Sequence, residues 1–458
     1  MIGEICHDCP IEHFLRIELS MACEKPGGSS PLHQIEHDRT HSFPVEYKGG
    51  HLRSSIDRII SMLDFPHRPH GSHRLYQFFD SRIIDYTNYT TNKKARNHTP
   101  TTVTMGRAAD HNPHSMASDW PTKDKSTWNF YQKFIDFANL YPVFPGKPLP
   151  VHPKTDKIPY MPQWSQHFFI LFFAAVPLLA HQAYVSLTGH NLGKWATFIL
   201  YNLAYTLIVI REFRMLRRLT YEHGCLDGDV ANRDGIPNTG VGKIVGSMHK
   251  TAAFRLALAV LITYRPNVSP LAAASNMSSW PSSFAKLSLY GVILDFWFYT
   301  YHRSCHEMPY LWKYHRTHHL TKHPSPLHSA FGDDEQELIE MVIVPFLTFA
   351  TLSVIGLPLG FYEWWFCFEY VTFSEVMGHS GLRVHAFAPS PITWLLQLCD
   401  AELAIEDHDL HHRKGWRKSF NYGKQTRVWD RLFNTSIERM EAKEPNVDYG
   451  ATVTMPLF

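Results

Sequence analysis

Eight histidines in three short groups are the residues of this chain best placed to do chemistry. His302 and His306 stand four apart, His315, His318 and His319 crowd into five residues, and His408, His411 and His412 repeat that second spacing far downstream. Residues three and four apart share a helix face, so each group can aim at least two rings at one point. Eight neutral imidazoles are more than one tetrahedral ion can use, whereas two metals with open positions need about this many. Imidazole suits iron as well as zinc, so the ligand type leaves the metal open. The spacing is not HExxH, because Tyr310 stands where the second histidine would be, and it is not a two-histidine, one-carboxylate arrangement. A single HxxxH is commonly a pair of surface histidines; three groups in this order are not readily a coincidence.

Such a site needs elements to carry it, and the apolar pattern supplies them. Phe168–Leu187 is about the length of a membrane-spanning helix, and Trp195–Ile210 follows after seven residues, so the two predict a hairpin. Arg211, Arg214, Arg217 and Arg218 come next, and positive-inside bias places that end in the cytosol. A Gly-rich loop over about 219–250 precedes a second pair, Ala252–Tyr264 and Leu287–Tyr301, which delivers the chain to His302. Val342–Phe368, broken by Gly356 and Pro358, predicts a further hairpin or re-entrant pair. Buried helices of a large soluble protein are the alternative, and they fit an arginine cluster beside two long apolar segments poorly. The expected fold is all-α: an integral membrane bundle of about four transmembrane helices plus re-entrant or interfacial helices, capped by the histidine-rich di-metal region on the cytosolic side.

The remainder constrains less. A net charge of +2 gives no argument for a nucleic-acid partner. The seven cysteines are odd in number and scattered, which points to a reducing environment; Cys6 and Cys9 form a CxxC without a second pair. Residues 1–125 are polar without sustained periodicity and read as a disordered or weakly ordered extension. Residues 126–250 hold an aromatic, Pro-rich membrane-surface segment, the first hairpin and its loop; 251–440 form the catalytic portion; 441–458 form a tail.

The three histidine groups resemble those of the membrane fatty acid hydroxylase and sterol desaturase superfamily. The matching residues are His302-Arg-Ser-Cys-His306, His315-Arg-Thr-His-His319 and His408-Asp-Leu-His-His412. Supporting context comes from Asp295 seven residues before His302, Leu311-Trp312-Lys313, Glu375-Val-Met-Gly-His379-Ser-Gly, and Asn421-Tyr-Gly followed by Trp429 to Thr435. The resemblance covers about 285–436 and is specific to the superfamily, not to one member. It implies His379 as a ninth ligand, and a di-iron centre on the cytosolic face of the endoplasmic reticulum membrane. It also implies dioxygen activation with electrons from NAD(P)H through cytochrome b5 and its reductase. The chain agrees in having no fused cytochrome b5; Lys25-Pro-Gly-Gly28 lacks the histidine of a haem-binding motif.

The candidate catalytic and metal-ligating residues are therefore His302, His306, His315, His318, His319, His379, His408, His411 and His412. His323, His328 and His385 are left open as metal contacts. Asp295, Asp407 and Asp409 could accept the second ring N–H of a ligand, with capping or exposure the equal alternative. Glu335–Glu340 departs from the family's apolar pattern and puts the substrate entrance in doubt. Arg413, Lys414, Arg417 and Lys418 are expected to meet lipid headgroups or an acidic electron donor. The expected function is an oxygen-dependent oxidoreductase that hydroxylates, or desaturates, a sterol, sphingoid base, fatty acyl chain or related lipophilic substrate. The alternatives are a zinc-dependent membrane lipid hydrolase and a non-catalytic sterol- or metal-binding protein.

Overall fold

A computed structural model describes residues 116, 118–228 and 233–458, all within the unit Thr104–Phe458. Cys6, Cys9 and Lys25 lie outside the described residues. Packing begins before residue 126: Trp120 is buried, edge-on to Trp128 and stacked on Tyr141. The first described helix, α1 (Phe130–Phe137), opens on a capping box in which Asn129 and Gln132 satisfy each other's backbone N–H groups.

Four helices among the described residues are long and apolar enough to cross a membrane: α2 (Gln163–Thr188), α3 (Lys194–His223), α4 (Val241–Thr263) and α6 (Asp334–Val354). The sequence of α3 shows why it belongs in lipid. Trp195, Ile199, Leu203 and Leu207 recur every four residues and are all more than half exposed, while Tyr201, Tyr205 and Leu216 on the other face are buried. An exposed apolar stripe of that length is costly in water and ordinary in a bilayer. Gly189, at φ +70°, ends α2 in the left-handed conformation and lets the chain reverse into α3.

α4 begins eleven residues before the expected apolar run. Its first turns, Val241 to Met248, are amphipathic and bury Val241, Ile244, Val245 and Met248, so much of the expected Gly-rich loop is helix. α5 (Trp280–Glu307) runs past Tyr301 and carries His302 and His306 on its last turns. α6 contains a π-helical segment, Ile339–Ile343, and Gly356 (φ +84°) then separates it from α7 (Phe361–Gly378). The short helices α8 (Thr393–Leu398), α9 (Ile405–Lys414) and α10 (Val428–Leu432) complete the cap.

The C-terminal residues are part of the body. Strand β1 (Ile158–Tyr160) pairs in parallel with β2 (Val447–Thr452), Val453 and Met455 are buried, and the Met455 N–H donates to Ser165 Oγ at 2.7 Å. Pairing satisfies backbone groups that a free tail would leave to solvent.

Candidate metal centre

Nine histidines form two adjoining groups. His302, His306, His315, His319 and His411 make one; His318, His379, His408 and His412 make the other. In each group one ligand atom per residue lies within 4.8 Å of every other, and all nine residues are buried. Helical spacing decides the partition. The i, i+4 partners 302/306 and 315/319 point into one group and 408/412 into the other. The intervening residues, His318 and His411, each cross to the opposite group. That alternation is a signal the three motifs carry and that the sequence reading did not use.

Orientation comes from the backbone. His302 Nδ1–H donates to the Tyr422 carbonyl at 2.8 Å and His306 to Trp416 at 2.7 Å. His318 donates to Phe331, His379 to Glu375, His411 to Phe420 and His412 to Thr321, at 2.6–3.1 Å. A proton held on Nδ1 leaves the Nε2 lone pair for a metal.

The residues fit such an ion on three observations. The Nε2 atoms of His302, His306, His315 and His412 are buried without a hydrogen-bond partner among the described residues. The Nε2 atoms of His379 and His318, His408 and His379, and His411 and His319 approach to 3.0–3.1 Å. Two nitrogens bound at about 2.1 Å to one ion, about 90–109° apart, are separated by roughly 3.0–3.4 Å. Finally, burial, and after it the neighbouring imidazoles, pushes His315, His319, His408, His411 and His412 well below the usual histidine range. Burial likewise brings His379 down to about 3. Neutral rings are the form that binds metal.

The other sequence candidates have other partners. Asp295 accepts the backbone N–H groups of Lys424, Gln425 and Thr426. Asp407 caps α9 through the Ala404 N–H and holds Arg439, and Asp409 pairs with Arg413 at 2.8 Å. None of the three carboxylates takes a ligand ring N–H; backbone carbonyls do that work. His323 Nε2 lies 3.1 Å from Asp227, and His328 donates to the Gly235 carbonyl. His385 sits beside Phe387, and neither it nor the other two belongs to either group.

Arg413, expected at a lipid or donor surface, is instead buried between Asp409, Asp227 and Glu441. Its four-residue offset from Asp409 on α9 makes the inward pairing local. Of the acidic stretch 335–340, Glu337 and Glu340 are buried. Glu340 faces Lys424 at 3.0 Å, and Lys424 also reaches Glu375 at 3.4 Å. Arg255 joins this network through Glu375 Oε2 at 3.3 Å and the Tyr205 and Thr372 hydroxyls at 2.8 Å. The sequence reading missed Lys424 and Arg255, which carry no motif.

An apolar cleft between α3 and α4 reaches this network. Tyr205, Val209, Phe213 and Met248 line it, with Arg255 and Glu375 at its inner end.

The fatty acid hydroxylase family model matches residues 287–435, an interval that contains all nine histidines. The chain is also similar to the fatty acid hydroxylase vlmA of a Lecanicillium species. The two are 42% identical over 320 residues, 68% of this chain and 87% of the relative. No solved structure matches it.

Proposed function

The chain belongs to the fatty acid hydroxylase family, and from that premise we propose that it is a membrane-bound di-iron hydroxylase of a lipophilic substrate. The pairing of a five-histidine and a four-histidine group within one buried cap carries the reading. Residues 302–319, 379 and 408–412 would hold the two ions, and the catalytic portion is assigned to 251–440. When bound, the irons supply the activation of dioxygen that lets an unactivated C–H bond react.

The chain's own residues hold, orient and exclude. Six backbone carbonyls fix the rings, and burial keeps them neutral and limits water. The apolar cleft between α3 and α4 offers a lipid chain a route from the bilayer toward Glu375, whose carbonyl orients His379. Holding one carbon near the metals selects the position attacked. Hydroxylation is preferred over desaturation, and sterol, sphingoid base and fatty acyl chain are the substrate classes. Electrons from NAD(P)H would arrive through cytochrome b5 and its reductase at the cytosolic face of the endoplasmic reticulum membrane.

Expression of the full chain in yeast with lipid mass spectrometry tests the proposal. A lipid heavier by one oxygen, absent with His411→Ala and His318→Ala, is the expected result. A product lacking two hydrogens would reassign the outcome to desaturation. Zinc in the purified protein together with oxygen-independent lipid hydrolysis would overturn the proposal.

A further inference from the structure

A second cavity, of about 380 Å³, lies in the cap and shares no residue with either histidine group. Its position relative to the bilayer follows from α8. Thr393 Oγ1 donates to Gln163 Oε1 at 3.3 Å, and Gln163 is the first residue of the span α2. Gln163 in turn donates to the carbonyl of Phe387, which lines the cavity together with Gln397 of α8. Around this junction Trp164, Trp394 and Leu398 are 63%, 62% and 76% exposed. Tryptophan on the outside of a membrane protein belongs at the headgroup level. The cavity therefore opens where α2 enters the membrane.

Six of the charges lining it form three close pairs, and Arg427 and Glu444 stand outside them. Arg439 meets Glu402 at 2.9 Å, Arg431 meets Asp400, and Lys443 meets Glu438 at 3.4 Å. Glu444 accepts from the Tyr449 hydroxyl at 2.8 Å. Arg427 differs. Its side chain is 3% exposed, and its guanidinium has no acceptor at hydrogen-bond distance among the described residues. The nearest carboxylate oxygens, of Asp400 and Asp407, stand 3.8 Å away. The Nε of Arg427 is buried without a hydrogen-bond partner among the described residues, which is costly, and a planar fork of N–H groups fits an oxyanion in two-pronged fashion. The matched carboxylates limit which oxyanion. A polyanion would face Glu438 and Glu444 at the same rim, whereas a phosphodiester carries one negative charge, and an attached ammonium would find those carboxylates.

We propose that this cavity binds the headgroup of a zwitterionic membrane phospholipid, with Arg427 on the phosphodiester and Glu444 facing the ammonium. The site is separate from the metal centre and does not depend on the substrate assigned there.

The test is native mass spectrometry on the full chain, purified and delipidated in a maltoside detergent. It is titrated with phosphatidylethanolamine, phosphatidic acid and diacylglycerol of identical acyl chains. One phosphatidylethanolamine should bind saturably, phosphatidic acid more weakly, and diacylglycerol not at all. Arg427→Lys, which keeps the charge and loses the fork, and Gln397→Glu, on the exposed rim, should each weaken phosphatidylethanolamine about tenfold, with metal content unchanged. If Arg427→Lys does not fold, Gln397→Glu decides alone. Diacylglycerol binding equally well, phosphatidic acid binding more tightly, or wild-type affinity in the folded variants would overturn the proposal. So would water-soluble phosphoethanolamine binding as tightly as the lipid, because the membrane would then have no part in it.

Discussion

Replacing Asp295 with alanine should loosen the metal centre without touching a ligand. Asp295 lies two helical turns before His302 on α5 and is fully buried. Its carboxylate accepts the N–H groups of Lys424, Gln425 and Thr426 at 3.0, 3.1 and 2.5 Å, and the Thr426 hydroxyl at 3.0 Å. The segment pinned this way begins just after Phe420 and Tyr422, whose carbonyls orient His411 and His302. Each bond to the charged group is worth about 1.5–3 kcal/mol, and a plain sum overshoots because the loop relaxes once freed. Removing the carboxylate leaves buried N–H groups without an acceptor at about 1–3 kcal/mol each, and with part of the loop relaxing about 4 kcal/mol is expected here. Asp295→Asn should fall only a little short of that, since its amide NH₂ would confront the same backbone donors. At about 2 °C per kcal/mol, the Tm of metal-free protein in detergent should drop by about 8 °C. Outer contacts that orient a ligand change metal affinity by about 10–100-fold, so the five-histidine group should lose its ion under mild chelation while the four-histidine group keeps its own. Inductively coupled plasma mass spectrometry should then read about one metal per chain against two in the wild type. An alanine variant with wild-type metal content and a Tm within about 1 °C would refute the reasoning.

The two groups should also respond unequally to ligand loss. His408→Ala leaves three imidazoles in its group and should halve the metal content, while His315→Ala leaves four in the other and should retain most of it; the same metal analysis decides. Acidification should destabilise the metal-free protein. His315, His319, His408, His411 and His412 are held below the usual range by burial, so below about pH 6.5 the unfolded chain takes up protons that the folded one refuses. Each such histidine should cost about 1 kcal/mol between about pH 6.5 and 5.5, and a Tm that is flat or rising across that window would contradict the burial argument. On the lipid-facing stripe of α3, Leu203→Arg should impair insertion by about 2.5–3.5 kcal/mol, read from a glycosylation-reporter insertion assay, whereas insertion at the wild-type level would place that face in water.

The parts legible in the sequence were those that repeat. Apolar runs of spanning length located α2 and α3, and the i, i+4 histidines found the residues that the fold collects into two groups. Where helices depend on amphipathic turns, composition misleads: the first half of α4 reads as loop because Gly242, Lys243 and Gly246 dilute an apolar face that is nevertheless buried. The charged residues were harder still. Arg413 and Glu340 look like surface groups until their partners, Asp409 and Lys424, are brought to them; Lys424 lies 84 residues from Glu340.

The acceptors that orient the rings were illegible for a more basic reason: nearly any residue could supply them. Tyr422, Trp416, Phe331, Glu375, Phe420 and Thr321 range from aromatic to acidic to hydroxylic, and to the ring each contributes its carbonyl. The sequence pointed instead to Asp295, Asp407 and Asp409, which are real parts of the cap, but the first two hold backbone N–H groups and the third holds arginines. This division has an electrostatic consequence. A carboxylate acceptor would bring formal negative charge to the ring it orients, and a carbonyl brings only a dipole. The two carboxylates whose fields reach His318, Glu340 and Glu375, are already matched by Lys424 and Arg255. Ions bound here would be held by neutral ligands on neutral acceptors in a buried site, where positive charge is poorly screened. The positive charge of such ions would not be neutralised by the protein's own groups.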